Sequence, residues 1–341
     1  MNVLSSHTLQ SVTMKTSHGG ECWVITDGAA GNERQAMALA QTTGLIIRPF
    51  RVQLRRPWAW AAPRLLPASL LALAPVQRAQ FRPPWPRVVI GCGRASAMLT
   101  RLVGQLSDRR TYTVQILDPR LDTRYWNLVV APVHDELKAA NVIQMTGSLN
   151  PIDDTWLAEG REACPTLGDL PKPRRTILLG GERRGIELGA PYARQLVESL
   201  RAMAAREGGS FMISSSRRTP AAFRDAVVSG LADFPGHVWT GGDDAGNPYA
   251  GYLGWADSLV VTPDSVNMLS EACATGRPVR TLVTAPLPAK LARLHATLRS
   301  RNLLGDLDDR LPSSFTPLRE TQRVGLELRR RMLEYVGPVA S

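Results

Sequence analysis

The feature that most limits the fold of this chain is a repeated order of segments. A short apolar run leads into a turn of glycine or polar residues, and then into a stretch with helical period. "CWVIT" (22–26) runs through "DGAAGN" into a segment where Ala36, Leu39 and Ala40 recur at helical spacing; Gly44 ends it, and "LIIRPF" reads as the next strand. "RVVIGCGRASAMLTRL" repeats the pattern, and "TYTVQILDPR", "WNLVVAPVHDEL" and "NVIQMTGSLNPI" supply further strands. Strands alternating with helices in this way argue an α/β fold with a parallel sheet and helices on both faces.

The rhythm breaks at "LGDLPKPRR" (167–175), a Pro-rich, charged linker, and then restarts. "TILLGGERRGIEL" is a strand and a glycine loop, "SFMISSSRRTP" a strand running into a Ser/Arg turn, and "ADSLVVTPDSVNMLSEACATGRPV" a strand, a polar turn and a helix. Two similar α/β halves are therefore expected, 21–166 and 176–315. A polar leader (1–20), expected to be disordered, precedes them, and a helix in 316–341 is expected to pack back on the first half. With 341 residues, 44% of them hydrophobic, the chain can bury both cores.

The net charge is +11, and it is uneven: from Arg51 to Arg101 there are nine Arg, no Lys and no acid. Such a patch suits phosphate-rich or anionic lipid partners, or it reflects a chain that is rich in Arg throughout. Within it, 51–86 is a Pro/Trp/Arg-rich insertion with one short amphipathic helix expected. It reads either as a flap over the sheet or as an interfacial patch for an anionic membrane surface. The apolar run at 65–76 is too short to span a bilayer, so no transmembrane helix is expected. Cys22, Cys92, Cys164 and Cys273 are far apart and lack zinc-site spacing; reduced thiols in a cytosolic protein fit them. Motifs of zinc proteases, serine hydrolases and P-loop NTPases are not found.

In open α/β sheets ligands sit beyond the carboxyl ends of strands, often in a crevice between halves. The polar residues at those ends are therefore the candidates. In the first half they include Asp27, Gly28 and Asn32, then Gly91 to Ser96, Asp118, and His134 with Asp135. In the second they include Gly180, Gly181, Ser215, Arg217, Arg218, Asn247, Tyr249, Asp264 and Ser265. Glycine, serine and arginine hold phosphate through backbone amides, hydroxyls and guanidinium groups. In "SSSRRTP", Thr219 is expected to cap the next helix while Arg217 or Arg218 faces a diphosphate. At the turn 262–265, Asp264 or Ser265 lies near a helix N-cap, where free amides accept phosphate. Glu271, seven residues after Asp264, shares roughly one helix face with it. It could take both hydroxyls of a ribose, or be an ordinary exposed glutamate. His134 and Asp27 compete as general base. "GCGRAS" followed by Asp118 imitates a dinucleotide fingerprint, although a generic tight turn explains it equally. No metal-ligand cluster is expected.

Taken in order, "TDGAAGNERQA", "QILDPR", "APVHD", "NVIQMTGSLNPI", "LLGGERR", "SSSRRTP" and "NPYAGYLGWADSLVVTPDSVNMLSEACATGRPV" resemble the mitochondrial-fission Elm family in its bacterial branch. Asn267 stands where that family more often has Ser. The resemblance implies a GT-B-like fold, two Rossmann-like domains facing across a cleft, with an acceptor side in the first domain and a nucleotide-sugar side in the second. It implies that Glu271 holds the donor ribose, that the Asp264–Ser265 turn holds the diphosphate, and that no metal is needed. "TDGAAGN" lacks the histidine that often serves as base in such folds. The implied activity is a glycosyltransferase that uses a nucleotide-diphosphate sugar, with no permanently bound cofactor, on a cell-envelope glycolipid or polysaccharide acceptor. It would work in the cytoplasm, peripheral at the inner membrane, with no nucleic-acid partner. A non-catalytic membrane-associated scaffold and a sugar-nucleotide epimerase are the alternatives.

Overall fold

The computed structural model describes residues 20–241, 246–309 and 316–337. The predicted leader lies outside these residues except for Gly20, and the 241–249 loop is described only at its ends.

The first half is built from β1 (Glu21–Thr26), α1 (Ala30–Gln41) and β2 (Ile46–Arg51), the short helices α2 (Trp58–Ala61) and α3 (Pro75–Arg78), β3 (Val88–Cys92), α4 (Arg94–Leu106), β4 (Tyr112–Ile116), β5 (Leu128–Pro132) and β6 (Val142–Met145). Its six strands are parallel in the order β2-β1-β3-β4-β5-β6, so the chain reverses direction across the sheet between β1 and β3. β3, β4 and β5 are buried along their whole length, as central strands covered on both faces must be.

The second half follows α5 (Asp154–Ala163). It comprises β7 (Arg174–Leu179), α6 (Ala190–Glu207), β8 (Ser210–Ser215), α7 (Ala221–Gly230), β9 (Gly236–Trp239), α8 (Tyr249–Trp255), β10 (Ser258–Val261), α9 (Val266–Ala274), β11 (Val279–Thr281), α10 (Ala289–Ser300) and β12 (Gly305–Asp306), and α11 (Glu320–Val336) closes the chain. Its sheet is also parallel, in the order β12-β11-β10-β7-β8-β9, with the reversal between β7 and β10. Each reversal leaves a crevice at the carboxyl ends of its two flanking strands.

The insertion does cover the first sheet. Val52, Ala62, Ala72, Leu73 and Phe81 pack with Trp23, Phe50, Met98 and Leu99 into one cluster. It carries two four-residue helices and a 3-10 turn where one amphipathic helix was expected. The prolines explain this, because they limit each helical stretch to about one turn. Trp60, Leu71 and Val76 remain exposed on its outer side.

Two helices tie the halves together. α11 returns to the first half, where Val324, Leu328 and Met332 join the core that also contains Val24, Leu39 and Val114. α5 precedes the linker yet packs against α8. Asp153 caps it by accepting the Trp156 amide at 2.8 Å. α5 and α8 meet through glycines: a Cβ at Gly160 would lie 2.4 Å from the Ala250 carbonyl oxygen, and one at Gly251 2.5 Å from Cys164. We expect Gly160→Ala to destabilise the protein by about 1–3 kcal/mol. Alanine has the better helix propensity by about 1 kcal/mol, but the obstructing atom is backbone and cannot rotate away. Urea denaturation measures this; an unchanged or higher midpoint would show that the two helices part at no cost.

Candidate functional site

α9 is the element around which the site is built. It begins at Ser265, whose hydroxyl accepts the Met268 amide at 3.3 Å. The first-turn amides of Val266 and Asn267 have no partner within the helix. Val266 and Asn267 line a cavity of about 350 Å3, and the wall facing them comes from the first half: Asn32 and Gln35 of α1, Asp118 after β4, His134 after β5 and Ser148 after β6. The cavity is thus the crevice between strand ends of one half and a helix N-terminus of the other.

The remainder of α9 lies directly against the first half. The Ser148 amide donates to Ser270 Oγ at 3.0 Å. A Cβ on Gly147 would fall 2.1 Å from that hydroxyl, and a Cβ on Gly31 2.1 Å from Asn267 Nδ2. One turn further, Glu271 is only 2% exposed. Its Oε1 accepts Arg34 Nη1 at 2.5 Å and its Oε2 accepts the Tyr249 hydroxyl at 2.5 Å. The Arg34 guanidinium also lies 5.4 Å from the Tyr249 ring centre. Burial and the neighbouring carboxylate push the Tyr249 pKa well up, so its hydroxyl stays a donor. The reading of Glu271 as an exposed helix glutamate is therefore excluded. It faces the first half, with both oxygens engaged.

The two candidate bases are separated. His134 is buried in a 3-10 turn at the end of β5. Its carbonyl accepts from Arg293 at 3.1 and 3.3 Å, and Asp135 pairs with Lys290 at 2.5 Å, so α10 holds this turn from across the cleft. Burial lowers the His134 pKa; Asp135 opposes the shift, and Lys290, Arg293 and Arg183 add to it. The imidazole is neutral at pH 7 and lines the cavity. Asp27 is exposed at the end of β1 and accepts the Ala29 amide at 3.0 Å and Asn32 Nδ2 at 3.2 Å. With Gly28 it lines a different groove, shared with Arg51, Arg55 and Gln77.

In the second half the crevice between β7 and β10 is filled by its own loop. Asp264 is 1% exposed; its Oδ2 accepts the Gly181 amide at 3.0 Å and its Oδ1 the Thr262 hydroxyl at 2.6 Å. Thr262 in turn accepts the Gly180 amide at 2.7 Å. Asp264 thus braces the β7 loop, and Ser265 alone caps α9. Gly180 and Gly181 are needed for close approach, since a Cβ on Gly180 would meet Asp264 at 2.2 Å and one on Gly181 would meet Arg218 at 2.6 Å. Ser215 is buried at the end of β8, whereas Arg217 and Arg218 are exposed. Thr219 does not cap α7: its hydroxyl donates to the carbonyls of Leu179 and Gly180, at 2.9 and 2.6 Å, and Pro220 occupies the cap position. Asn247 is exposed and accepts the Tyr249 amide at 3.0 Å, starting α8. Arg34, Gln35, Ser148 and Ser270 lie within the quoted motifs but were not singled out as site residues, and Arg183, which belongs to the strand-end stretch 180–184, donates to the Asp264 carbonyl at 3.0 Å. Each matters through a contact made only in the folded chain.

Two six-stranded parallel sheets, each with a reversal point, meet at a crevice walled by strand ends on one side and a helix N-terminus on the other. That is a GT-B-like α/β architecture of two Rossmann-like halves. The chain belongs to the family described as Mitochondrial fission ELM1, whose model matches residues 30–332. It is similar to the mitochondrial fission protein ELM1 of Arabidopsis thaliana, at 30% identity over 297 residues, covering 79% of this chain and 69% of that protein. An uncharacterized protein of Rickettsia prowazekii (strain Madrid E) is 25% identical over 298 residues, covering 75% of this chain and 81% of that protein. Among solved structures, UDP-GlcNAc 2-epimerase of Methanocaldococcus jannaschii, in complex with UDP-GlcNAc and UDP, superimposes with a TM-score of 0.52 at 12% identity, over 91% of this chain and 99% of that one. At that identity the likeness is one of fold.

The Arg34–Glu271 pair should behave as an interdomain bond. We expect Arg34→Met and Glu271→Gln each to cost about 1–3 kcal/mol, and the double variant to cost less than their sum by about 1 kcal/mol or more. Strict additivity in a denaturation cycle would show that the contact carries no coupling.

Proposed function

We propose that this protein is a nucleotide-sugar-dependent glycosyltransferase of GT-B type that acts on a cell-envelope glycolipid or polysaccharide acceptor. The observation that carries the reading is the pairing across one cavity of a buried, neutral His134 with the open first turn of α9. The α9 amides and the positive end of its dipole suit the diphosphate of the donor. Negative charge that develops on the departing nucleoside diphosphate is stabilised there, helped by Arg217 or Arg218 from the β8 turn. These groups supply positive charge without a metal ion. His134, unprotonated, removes the proton of the attacking acceptor hydroxyl; Asp27 lines the other groove and is the second candidate. Glu271 and Tyr249 take the ribose hydroxyls once the part-exposed Arg34 side chain has swung aside, with the walls of the cavity kept together. The UDP-GlcNAc and UDP held by the fold neighbour support a uridine-type donor as the first to test.

The acceptor side fits a membrane-bound substrate. No helix among the described residues is long and apolar enough to cross a membrane. Exposed Trp60, Leu71 and Val76 do, however, share the insertion with exposed Arg55, Arg56, Arg64 and Arg82. Apolar side chains beside guanidinium groups suit an anionic lipid surface at the cytoplasmic face of the inner membrane. One observation favours a non-catalytic scaffold of the family instead: both oxygens of Glu271 are already paired within the chain.

Calorimetric titration with UDP, GDP and ADP decides between these. We expect one of them to bind and Glu271→Ala to weaken it about tenfold or more; folded protein that binds none would leave the scaffold. With a donor in hand, His134→Ala should abolish release of nucleoside diphosphate while leaving donor affinity unchanged. Wild-type turnover should fall on the acid side with an apparent pKa below the ordinary histidine value of about 6.5, because burial disfavours the imidazolium. An acid limb above that value would assign the base elsewhere. Separately, the protein should sediment with vesicles containing phosphatidylglycerol and not with pure phosphatidylcholine, and Trp60→Ala should reduce the bound fraction. Equal binding to both vesicles, or none, would reject the membrane-facing role.

A further inference from the structure

The groove that Asp27 lines is larger than the cavity at α9, about 810 Å3 against about 350 Å3. One side chain lies between them. Asn32 lines the α9 cavity, and its amide donates to the two Asp27 oxygens at 3.2 and 3.3 Å. The rest of the groove wall is the start of the insertion, 51–55, with Ala74 and Gln77. Backbone hydrogen bonds set this strip in order. The Val52 amide donates to the Thr26 carbonyl at 2.8 Å, which holds Val52 beside the end of β1. Three residues on, the Arg55 amide donates to the Ala72 carbonyl at 2.8 Å, and Gln77 Nε2 donates to the Arg51 carbonyl at 2.8 Å. The groove therefore runs from the α9 cavity out to the insertion. There Leu71 and Val76, the sequence neighbours of Ala72 and Gln77, are exposed.

The chemistry of the wall follows the same order. Asp27 is exposed, and a carboxylate has about four lone-pair sites, so it can accept hydroxyls beyond the Ala29 and Asn32 donors it already has. Arg51 is paired with Glu33 at 2.8 Å. Arg55 is exposed and among the described residues has no carboxylate partner; the stretch 51–101 holds no acid at all. A free guanidinium matches the oxygens of a phosphate. Past it come the apolar side chains, which suit the edge of a bilayer. Hydroxyl acceptor, cation and apolar edge correspond in order to the headgroup, phosphate and chains of a lipid. A neutral polysaccharide would use Asp27 and leave Arg55 and the apolar edge without a purpose.

We propose that this groove binds a phosphate-bearing lipid acceptor, with its headgroup hydroxyls at Asp27, its phosphate at Arg55 and its chains outward past Leu71 and Val76. This rests on the glycosyltransferase reading and narrows its acceptor to the lipid class. A headgroup held there lies one side chain, Asn32, from the cavity that His134 and α9 share. The reacting hydroxyl thus reaches His134 while the chains stay in the membrane.

The test is calorimetric titration of the full chain with lipids below their micelle concentrations, alone and after each of UDP, GDP and ADP. Wild type should bind dihexanoylphosphatidylinositol about tenfold or more tightly than inositol 1-phosphate, which lacks the chains, or octyl glucoside, which lacks the phosphate. It should also prefer it to dihexanoylphosphatidylmethanol, which keeps the chains and the charge and lacks the hydroxyls. Arg55→Gln should weaken both phospholipids about tenfold or more, and Asp27→Ala should erase the preference between them. Arg78→Gln, on α3 but outside the groove wall, removes the same charge and should change neither. Equal losses in Arg55→Gln and Arg78→Gln would reduce the attraction to diffuse charge and overturn the groove, as would octyl glucoside binding as tightly as the inositol lipid. Nucleoside diphosphate bound with no lipid overturns the groove and leaves the transferase reading. Lipid bound with no nucleotide keeps the groove as a lipid site of the scaffold and overturns that reading; neither bound overturns both.

Discussion

The contact that sets the geometry of this molecule is the approach of α9 to the first half at Gly31 and Gly147. A methyl group at either position would fall 2.1 Å from a side-chain atom of α9. Because neither residue carries one, Ser270 can bond the Ser148 amide and Glu271 can reach Arg34. The cavity between the α9 N-terminus and the strand ends exists because this contact holds its walls together. Had the halves been joined only through the linker and α11, the same residues would face water across an open groove. Their amides and imidazole would then act in a high dielectric, where each is worth much less.

Much of the architecture was legible in the sequence because parallel α/β units write themselves locally. An apolar run, a glycine turn and a helical period are all contained within a few neighbouring residues, as at 22–44 and 88–106. Helix α5 was missed because its packing surface is made by glycines. Gly160 offers no apolar periodicity, and its partner surface on α8 is equally featureless until the two helices meet. The insertion was recognised as a flap from its prolines and tryptophans, but its single expected helix divides into pieces of one turn. Proline tolerates a helix start and not its interior.

The candidate site was legible to the extent that it follows strand ends. His134, Asn32 and Ser265 were reachable by that rule, and Glu271 through its spacing from Asp264 and the family resemblance; all four stand at the cleft or against it. What the rule could not give is which oxygen or nitrogen a side chain meets. Thr219 looked like a cap because it precedes Pro220, yet its hydroxyl is drawn back to the β7 carbonyls, which lie beside it only because β7 and β8 are paired. Arg34 was not singled out among the many arginines of the chain. Its partner is 237 residues away, and nothing in the local sequence announces that distance.

Asp264 and Glu271 show how one turn and one helix can give two carboxylates opposite duties. Both are buried, and the spacing that put them on one side of the helix suggested a shared ligand. The difference lies in what each faces. Asp264 looks back into its own half, where Thr262 and the Gly181 amide hold it. That saturation is structural, since parting the two halves would leave every one of these bonds intact. Glu271 looks outward, and one of its two partners belongs to the opposite half. Any motion that widens the cleft removes Arg34 and leaves Tyr249, because Tyr249 belongs to the same half as Glu271. A buried carboxylate that loses a cation must find another set of donors or bear the cost of being unpaired. Glu271 is therefore the point at which opening of the cleft exchanges the partners of a carboxylate, and Asp264 is the fixed frame against which that exchange takes place.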